Sequence, residues 1–317
     1  MKIVRTIVNK TNNNMLQKFN PKNADIKVYI NGEIVPRSEA KVSVFDSVVQ
    51  GGDAVWEGIR VYDGRVFALN EHLERLINSA RAMAFRNIPT KAFVKKAIFD
   101  TLKANNMSDG VHIRLTLTRG EKITSGMDPR LNQKGLTLIV LAEYKAPVYD
   151  RSGITLITAS VRRNSPQFVD SKIHHNNLIN NIMAKIEANH AGADSAIMLD
   201  AYGFVAEAHG TNIFMVKNGI VHTPNPDACL PGITRKTVIN LARKIGLTCL
   251  ERNISIAEFH SADEVFTTGT MGEIVNVTSI DGRKIYNNDE NEIAWPISQK
   301  IQAEYAKLTA VEGDKIV

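Results

Sequence analysis

The sequence predicts an α+β protein of two domains, and three observations carry that expectation. A chain of 317 residues with 44% hydrophobic and 23% charged content is long enough to bury two cores. Strand-like and helix-like stretches are both present, without the regular βαβ alternation of a parallel sheet. A stretch around Glu143 to Asp150, containing Pro147, separates two blocks of periodic sequence and is the expected linker. The expected divisions are an N-terminal extension over 1–25, a smaller domain over 26–143, a linker over 144–150 and a larger domain over 151–317.

In the first block Ile26 to Ile30 reads as a strand, followed by the turn pair Asn31-Gly32 and a second strand at Val42 to Phe45. Gly58 to Tyr62 and Arg65 to Leu69 flank Asp63-Gly64, a pair that adopts positive φ readily and so predicts a tight hairpin. Asn70 is the expected cap of a helix with Leu73, Leu76, Ile77, Ala80 and Ala84 on one face, and a second helix is expected from Thr90 to Ala104. Val111 to Thr118 alternates, placing Val111, Ile113, Leu115 and Leu117 on one face and His112 with Arg114 on the other. A strand is expected at Leu136 to Leu141.

The second block opens with a strand near Ile154 to Ala159 and a helix from Asn177 to His190. A meander follows, broken at Tyr202-Gly203 and Asn218-Gly219. Ile233 to Ile245 then reads as a helix with Val238, Leu241, Ala242 and Ile245 in register, closed by Gly246.

Composition narrows the function. The formal charge is +6, but basic residues are spread along the chain without a cluster or a basic-aromatic pattern, so nucleic-acid binding is not expected. No run approaches a membrane span, and the N-terminus lacks the apolar core and cleavage site of a secretory signal, which points to the cytoplasm. Cys229 and Cys249 are the two cysteines and are far apart in sequence, which suggests neither a disulfide framework nor a cysteine metal site. His174-His175 invites a metal reading, but adjacent histidines in a strand or loop point to different faces and no third ligand is evident.

One segment suggests chemistry from its residues alone. In Pro231-Gly232-Ile233-Thr234-Arg235, Pro and Gly open a helix whose first amides lack internal partners, an arrangement that binds phosphate. Pro-Gly before a helix is also an ordinary way to begin one. The Thr267-Thr268-Gly269-Thr270 cluster offers further hydroxyls and close backbone approach.

Taken in order, Lys172 with Asn176 and Leu178, then Glu207, Asn212, Leu230 to Arg235, and Thr268-Gly269-Thr270 with Glu273 resemble the class IV (fold-type IV) pyridoxal 5'-phosphate (PLP) aminotransferases, especially the branched-chain enzymes. Trp56-Glu57-Gly58-Ile59-Arg60 and Glu71 to Leu76 are similar to that family's corresponding stretches, so the resemblance spans roughly 26–285. It implies a cofactor in the cleft between two domains, held as an imine on Lys172, which also shuttles the substrate's proton. It implies that Glu207 faces the pyridine nitrogen and that Asn177 can reach the phenolic oxygen. Arg75, Ile233, Thr234 and Thr270 would hold the phosphate, although Arg75 could equally pair with Glu71 one turn earlier.

The substrate would meet Trp56, His112, Arg114 and Met271, with Arg114 reading a carboxylate and Arg119 and Arg130 as competing candidates. Branched-chain enzymes usually carry tyrosine at the positions of Gly51, His112 and Asn177, phenylalanine at Trp56 and a small residue at Met271, so the substrate-facing set has changed while the cofactor set matches. The implied activity moves an amino group between a branched-chain or hydrophobic L-amino acid and a 2-oxo acid such as 2-oxoglutarate, in a homodimer. A D-amino acid or (R)-amine transaminase and an aminodeoxychorismate-type lyase are the alternatives within the same fold.

Overall fold

The computed structural model describes residues 17–149, 152–286 and 294–316. Two sheets organise the chain. The first contains β1 (Lys27–Ile30), β2 (Glu33–Pro36), β3 (Ala54–Tyr62), β4 (Arg65–Val66), β5 (Val111–Thr118) and β6 (Thr137–Tyr144). The second contains β7 (Ile154–Thr158), β8 (Ser195–Leu199), β9 (Val205–Ala208), β10 (Asn212–Lys217), β11 (Ile220–Pro224), β12 (Cys249–Arg252), β13 (Glu264–Gly269), β14 (Glu273–Ile280) and β15 (Arg283–Lys284). A last strand, β16 (Asp314–Lys315), returns from the C-terminal end to pair with β4 in the first sheet.

The first sheet is antiparallel in the order β16-β4-β3-β5-β6-β1-β2. Its hairpin turns at Asp63 and Gly64, with φ of 42° and 73°, as the Asp-Gly pair predicts. The alternating β5 pairs with β3 along its whole length, from Val61↔Val111 to Ala54↔Thr118. Its apolar face packs with Leu73, Leu76 and Ala80 of α2 (Leu69–Ala82) and with Val94, Ile98 and Leu102 of α3 (Lys91–Ala104). The opposite face, carrying His112 and Thr116, is covered as well, because the second half of the chain lies over it. That face is one wall of the site.

The second sheet runs β12-β11-β10-β13-β14-β7-β8-β9, with β15 beside β14, and is parallel at β11/β12, β14/β7 and β7/β8. Helix α4 (Ile179–His190) packs on β8 through Ala184 and Ala188. α5 (Ile233–Lys244) and α7 (Pro296–Val311) close a core around the stacked rings of Phe214 and Phe266, 5.0 Å apart. The remaining helices, α1 (Ser47–Gly51) and α6 (Ile256–His260), are short.

Several local expectations are corrected. Val42 to Phe45 forms no strand: Val44 and Phe45 make a turn, 70% and 47% exposed, and both edges of β1 are already taken by β2 and β6. Asn70 does not cap α2: Ala68 occupies that place at a φ of 49°, and Asn70 is the exposed second residue of the helix. Ala84 lies beyond the end of α2 at a φ of 54°. The expected N-terminal extension lies outside the described residues over 1–16. Its last part is docked, since buried Asn23 accepts from the Tyr144 amide (2.8 Å) and donates to its carbonyl (3.0 Å). The chain changes sheet between Tyr144 and Ile154, and residues 150–151 of that passage are outside the described residues.

Glu264 fixes how α7 meets the second sheet. It is fully buried, and its two carboxylate oxygens accept the amides of Ile297 and Ser298 at the start of the helix, each at 2.8 Å. Glu264→Ala orphans both amides and is expected to lower stability by about 2–3 kcal/mol, measurable as a reduced urea midpoint.

Candidate active site

A cavity of about 630 Å³ lies between the covered face of the first sheet and the turns of the second. Each wall is organised by a buried carboxylate.

On the first wall the carboxylate is Glu57 of β3, which is 0% exposed. It accepts from Arg75 twice (Nε to Oε1, 2.8 Å; a terminal nitrogen to Oε2, 2.7 Å), and it bonds Nδ1 of His72 at 2.7 Å and Nδ1 of His174 at 3.1 Å. Burial opposes its ionisation, but His174 and Arg75 outweigh that and hold its pKa well below the ordinary value. Arg75 is thereby locked in place and also donates to the carbonyl of Pro231 across the cavity, at 3.1 Å. Its carboxylate partner is Glu57 rather than Glu71, which is exposed.

On the second wall Glu207 of β9 accepts from Nε of buried Arg163 at 2.6 Å and from Nδ2 of Asn212 at 3.2 Å. Burial pushes the Glu207 pKa up and Arg163 opposes the rise. Asn212 also donates to the carbonyl of Leu230 at 2.8 Å. A Cβ on Gly232 would stand 2.1 Å from Oδ1 of Asn212, so only glycine fits where the chain enters α5. No side chain caps α5, whose first amides open beside Thr234 and Thr270. Next to them the Thr268 hydroxyl is buried without a hydrogen-bond partner among the described residues. Amides, hydroxyls and a guanidinium thus converge at one end of the cavity, a donor set whose chemistry suits an anion.

The segment that follows Lys172 joins the two walls. Trp56 donates its amide to the carbonyl of His174 (2.9 Å) and its indole N–H to the carbonyl of His175 (3.1 Å), and Asn176 donates to Ala54 (2.8 Å). The Trp56 ring lies 4.1 Å from that of His174, and the Arg114 guanidinium sits 3.4 Å from its centre.

Of the residues singled out in the sequence, Trp56, Arg75, His112, Glu207, Ile233, Thr234, Thr270 and Met271 line the cavity. Three do not. Lys172 is exposed, and its side chain lines an adjoining cleft of about 1330 Å³, which shares Arg75, Ile173 and Ile233 with the cavity. Asn177 is exposed and stands against Gly52. Arg114 is engaged by Trp56 and by Oδ1 of Asn176 (3.4 Å). Arg119 is tied to Asp53 by bonds of 2.6 and 3.0 Å, and Arg130 pairs with Asp128 on the surface, so neither competes for a ligand in the cavity. Glu57 and Arg163 carried no signal of their own in the sequence. Their roles come from partners far along the chain.

This geometry belongs to a known family. The chain is a member of the class IV amino-transferases, whose family model matches residues 54–280. Among its relatives, Branched-chain-amino-acid aminotransferase-like protein 2 of Arabidopsis thaliana is 59% identical over 294 residues, which are 92% of this chain and 52% of that protein. The putative branched-chain-amino-acid aminotransferase of Methanocaldococcus jannaschii is 42% identical over 278 residues, 87% of this chain and 96% of that one. The chain thus spans about half the length of the plant relatives and nearly all of the archaeal one. The Escherichia coli branched-chain amino acid aminotransferase superposes with a TM-score of 0.84 at 29% identity, covering 92% of this chain and 96% of that one. The Thermobaculum terrenum branched-chain amino acid aminotransferase in its PLP-form gives 0.80 at 26% identity, covering 91% and 95%. The fold is fold-type IV, as the resemblance implied.

Two outcomes follow from the electrostatics. Arg163→Met strands a buried carboxylate and should cost about 3–5 kcal/mol by chemical denaturation, whereas Arg163→Met with Glu207→Leu should recover most of the loss. Burial foremost pushes the pKa of His112 down to about 3 and those of His174 and His209 down to about 4. Unfolded histidines take up protons near ~6.5, so native stability is fully present above that pH. It should fall below it by up to roughly 1.4 kcal/mol per pH unit for each histidine, until the folded values are reached. Urea midpoints between pH 7.5 and 5 measure the slope, which His209→Asn should reduce.

Proposed function

We propose that this chain is a PLP-dependent aminotransferase that moves an amino group between a branched-chain or other hydrophobic L-amino acid and a 2-oxo acid such as 2-oxoglutarate. The names of its relatives support that class. The observation that carries it is the convergence on one cavity of the Glu207–Arg163 pair, the uncapped start of α5 and the unpartnered Thr268 hydroxyl. These groups fit a flat, basic ring with a phosphate at one end.

When bound, PLP supplies an electron sink for the charge left on the substrate's α-carbon and carries nitrogen from one substrate to the next. The chain's own residues do the rest. Glu207 would accept a hydrogen bond from the protonated ring nitrogen and so keep it protonated, and Arg163 favours the charged form of that carboxylate. The amides of Ile233 and Thr234, the hydroxyls of Thr234, Thr268 and Thr270, and Arg75 would hold the phosphate. Arg75 needs no reorganisation to do so, because Glu57 already fixes its plane. Lys172 would hold the cofactor covalently and would move the proton at the substrate's α-carbon. Its side chain must cross from the adjoining cleft past Ile173 to do this.

A homodimer in the cytoplasm completes the proposal. Ile179, Ile182, Met183 and Ile186 form an exposed apolar stripe on α4 that runs to the cavity mouth, which a second copy would cover. Cys229 and Cys249 are both free and buried, as suits a reducing compartment.

Protein incubated with PLP should develop a visible absorption band that bleaches on adding L-leucine or L-glutamate, and Lys172→Ala should not develop it. A wild-type protein without a lysine-dependent band sinks the proposal.

A further inference from the structure

The first-sheet wall of the cavity presents one polar side chain that the scheme above does not use. His112 is 8% exposed and lines the cavity, and it makes no hydrogen bond to any described residue. Its Nε2 lies over Gly58, 2.9 Å from where a Cβ would stand, so glycine at that position leaves room for the ring. The groups behind it are cationic. Arg60 sits directly across from it in the β3/β5 register, is buried, and gives one N–H to the Lys145 carbonyl at 3.3 Å. It forms no ion pair with a carboxylate among the described residues, and its Nε has no partner. Burial, with Lys145, Arg60 and Arg114, keeps the imidazole neutral, so Nε2 is free to carry a proton to donate. Arg114, the arginine that the sequence nominates for a substrate carboxylate, is meanwhile held on the Trp56 ring.

We infer that His112, backed by Arg60, is the specificity-determining residue of the substrate side-chain subsite, and that it favours amino acids and 2-oxo acids whose side chain ends in a carboxylate over branched aliphatic ones. This rests on the aminotransferase proposal and decides which of its two substrate types the cavity prefers. A carboxylate accepts the Nε2–H and brings a counter-charge toward the Arg60 guanidinium behind it, which lies over the Tyr62 ring and has no carboxylate partner among the described residues. An isopropyl group desolvates both and compensates neither, the situation in which a polar subsite discriminates strongly.

The test uses the full chain loaded with PLP. kcat/KM is measured for L-glutamate and L-leucine in wild type, His112→Leu and His112→Asn, and calorimetry compares binding of glutarate with that of 4-methylvalerate. Wild type should favour glutamate, and glutarate, by about tenfold or more. His112→Leu should erase the preference by losing activity with glutamate while activity with leucine holds or improves, and His112→Asn, which retains an N–H donor, should keep most of it. A wild type that favours leucine and 4-methylvalerate overturns the inference whether or not the variants fold. An unchanged ratio in His112→Leu does so too. If the lysine-dependent band is present in either case, only the inference falls; if the band is missing, the aminotransferase proposal falls with it.

Discussion

The site is organised around one buried carboxylate. Glu57 has no access to water and gathers three donors, from His72 and Arg75 on α2 and from His174 in the segment after Lys172. An ionised carboxylate in that position is tolerable only because every oxygen is paired, and the pairing works in both directions. It orients Arg75 toward α5, and it draws the Lys172-bearing segment against β3, where backbone bonds to Ala54 and Trp56 complete the attachment. Removing Glu57 would therefore loosen Arg75, a helix and the junction between the two halves of the chain together.

The opposite wall repeats the device with a different balance. Glu207 is also buried and also faces an arginine, yet burial raises its pKa where that of Glu57 is lowered. The difference lies in the donors: Glu57 meets a doubly bonded guanidinium and two imidazoles, whereas Glu207 meets a single Arg163 contact, the Asn212 side-chain amide and the Leu230 backbone. A carboxylate held less firmly in its charged form remains responsive to a cation or a proton placed beside it. Asn212 extends this second cluster to Leu230 and, through its contact with Gly232, to the start of α5. The ends of the cavity that would face a ring nitrogen and a phosphate are thus mechanically one unit.

Between the two walls the cavity combines aliphatic groups, such as Ile173, Leu178, Ile182 and Ile186, with planar ones. Trp56, His112, His174, His175 and His209 all border it, and burial lowers the pKa of each of these histidines. A wall of neutral imidazoles offers hydrogen bonds whose direction a ligand selects, set in a region whose fixed charges are largely positive. That combination distinguishes this cavity from a purely apolar slot of the same volume, and it is consistent with the departures from the branched-chain pattern at Trp56, His112 and Met271.

Features governed by local stereochemistry and short-range periodicity were legible in the sequence. The Asp63-Gly64 hairpin, the alternation of β5, the helix from Thr90 and the start of α5 depend on residues within a few positions of one another, and the family's ordered residues located most of the cavity's lining. The sequence did not show that β2 and β6 would take both edges of β1 and that Val42 to Phe45 would form no strand, because pairing is a competition between segments. Nor did it show that Ala68, at positive φ, would begin the helix instead of Asn70. Glu57 reads as one acid in a strand until His72, Arg75 and His174 surround it, and Arg163 reads as one of 39 basic residues until it meets Glu207. Arg114 and Asn177 occupy the positions that the family pattern assigns, yet one is taken up by Trp56 and the other stands against Gly52. Residue types and their spacing determine which chemistry a chain can hold, whereas burial and long-range partners determine which of those groups are charged, free and facing the cavity. These are properties of the folded volume and are not encoded in any one stretch of chain.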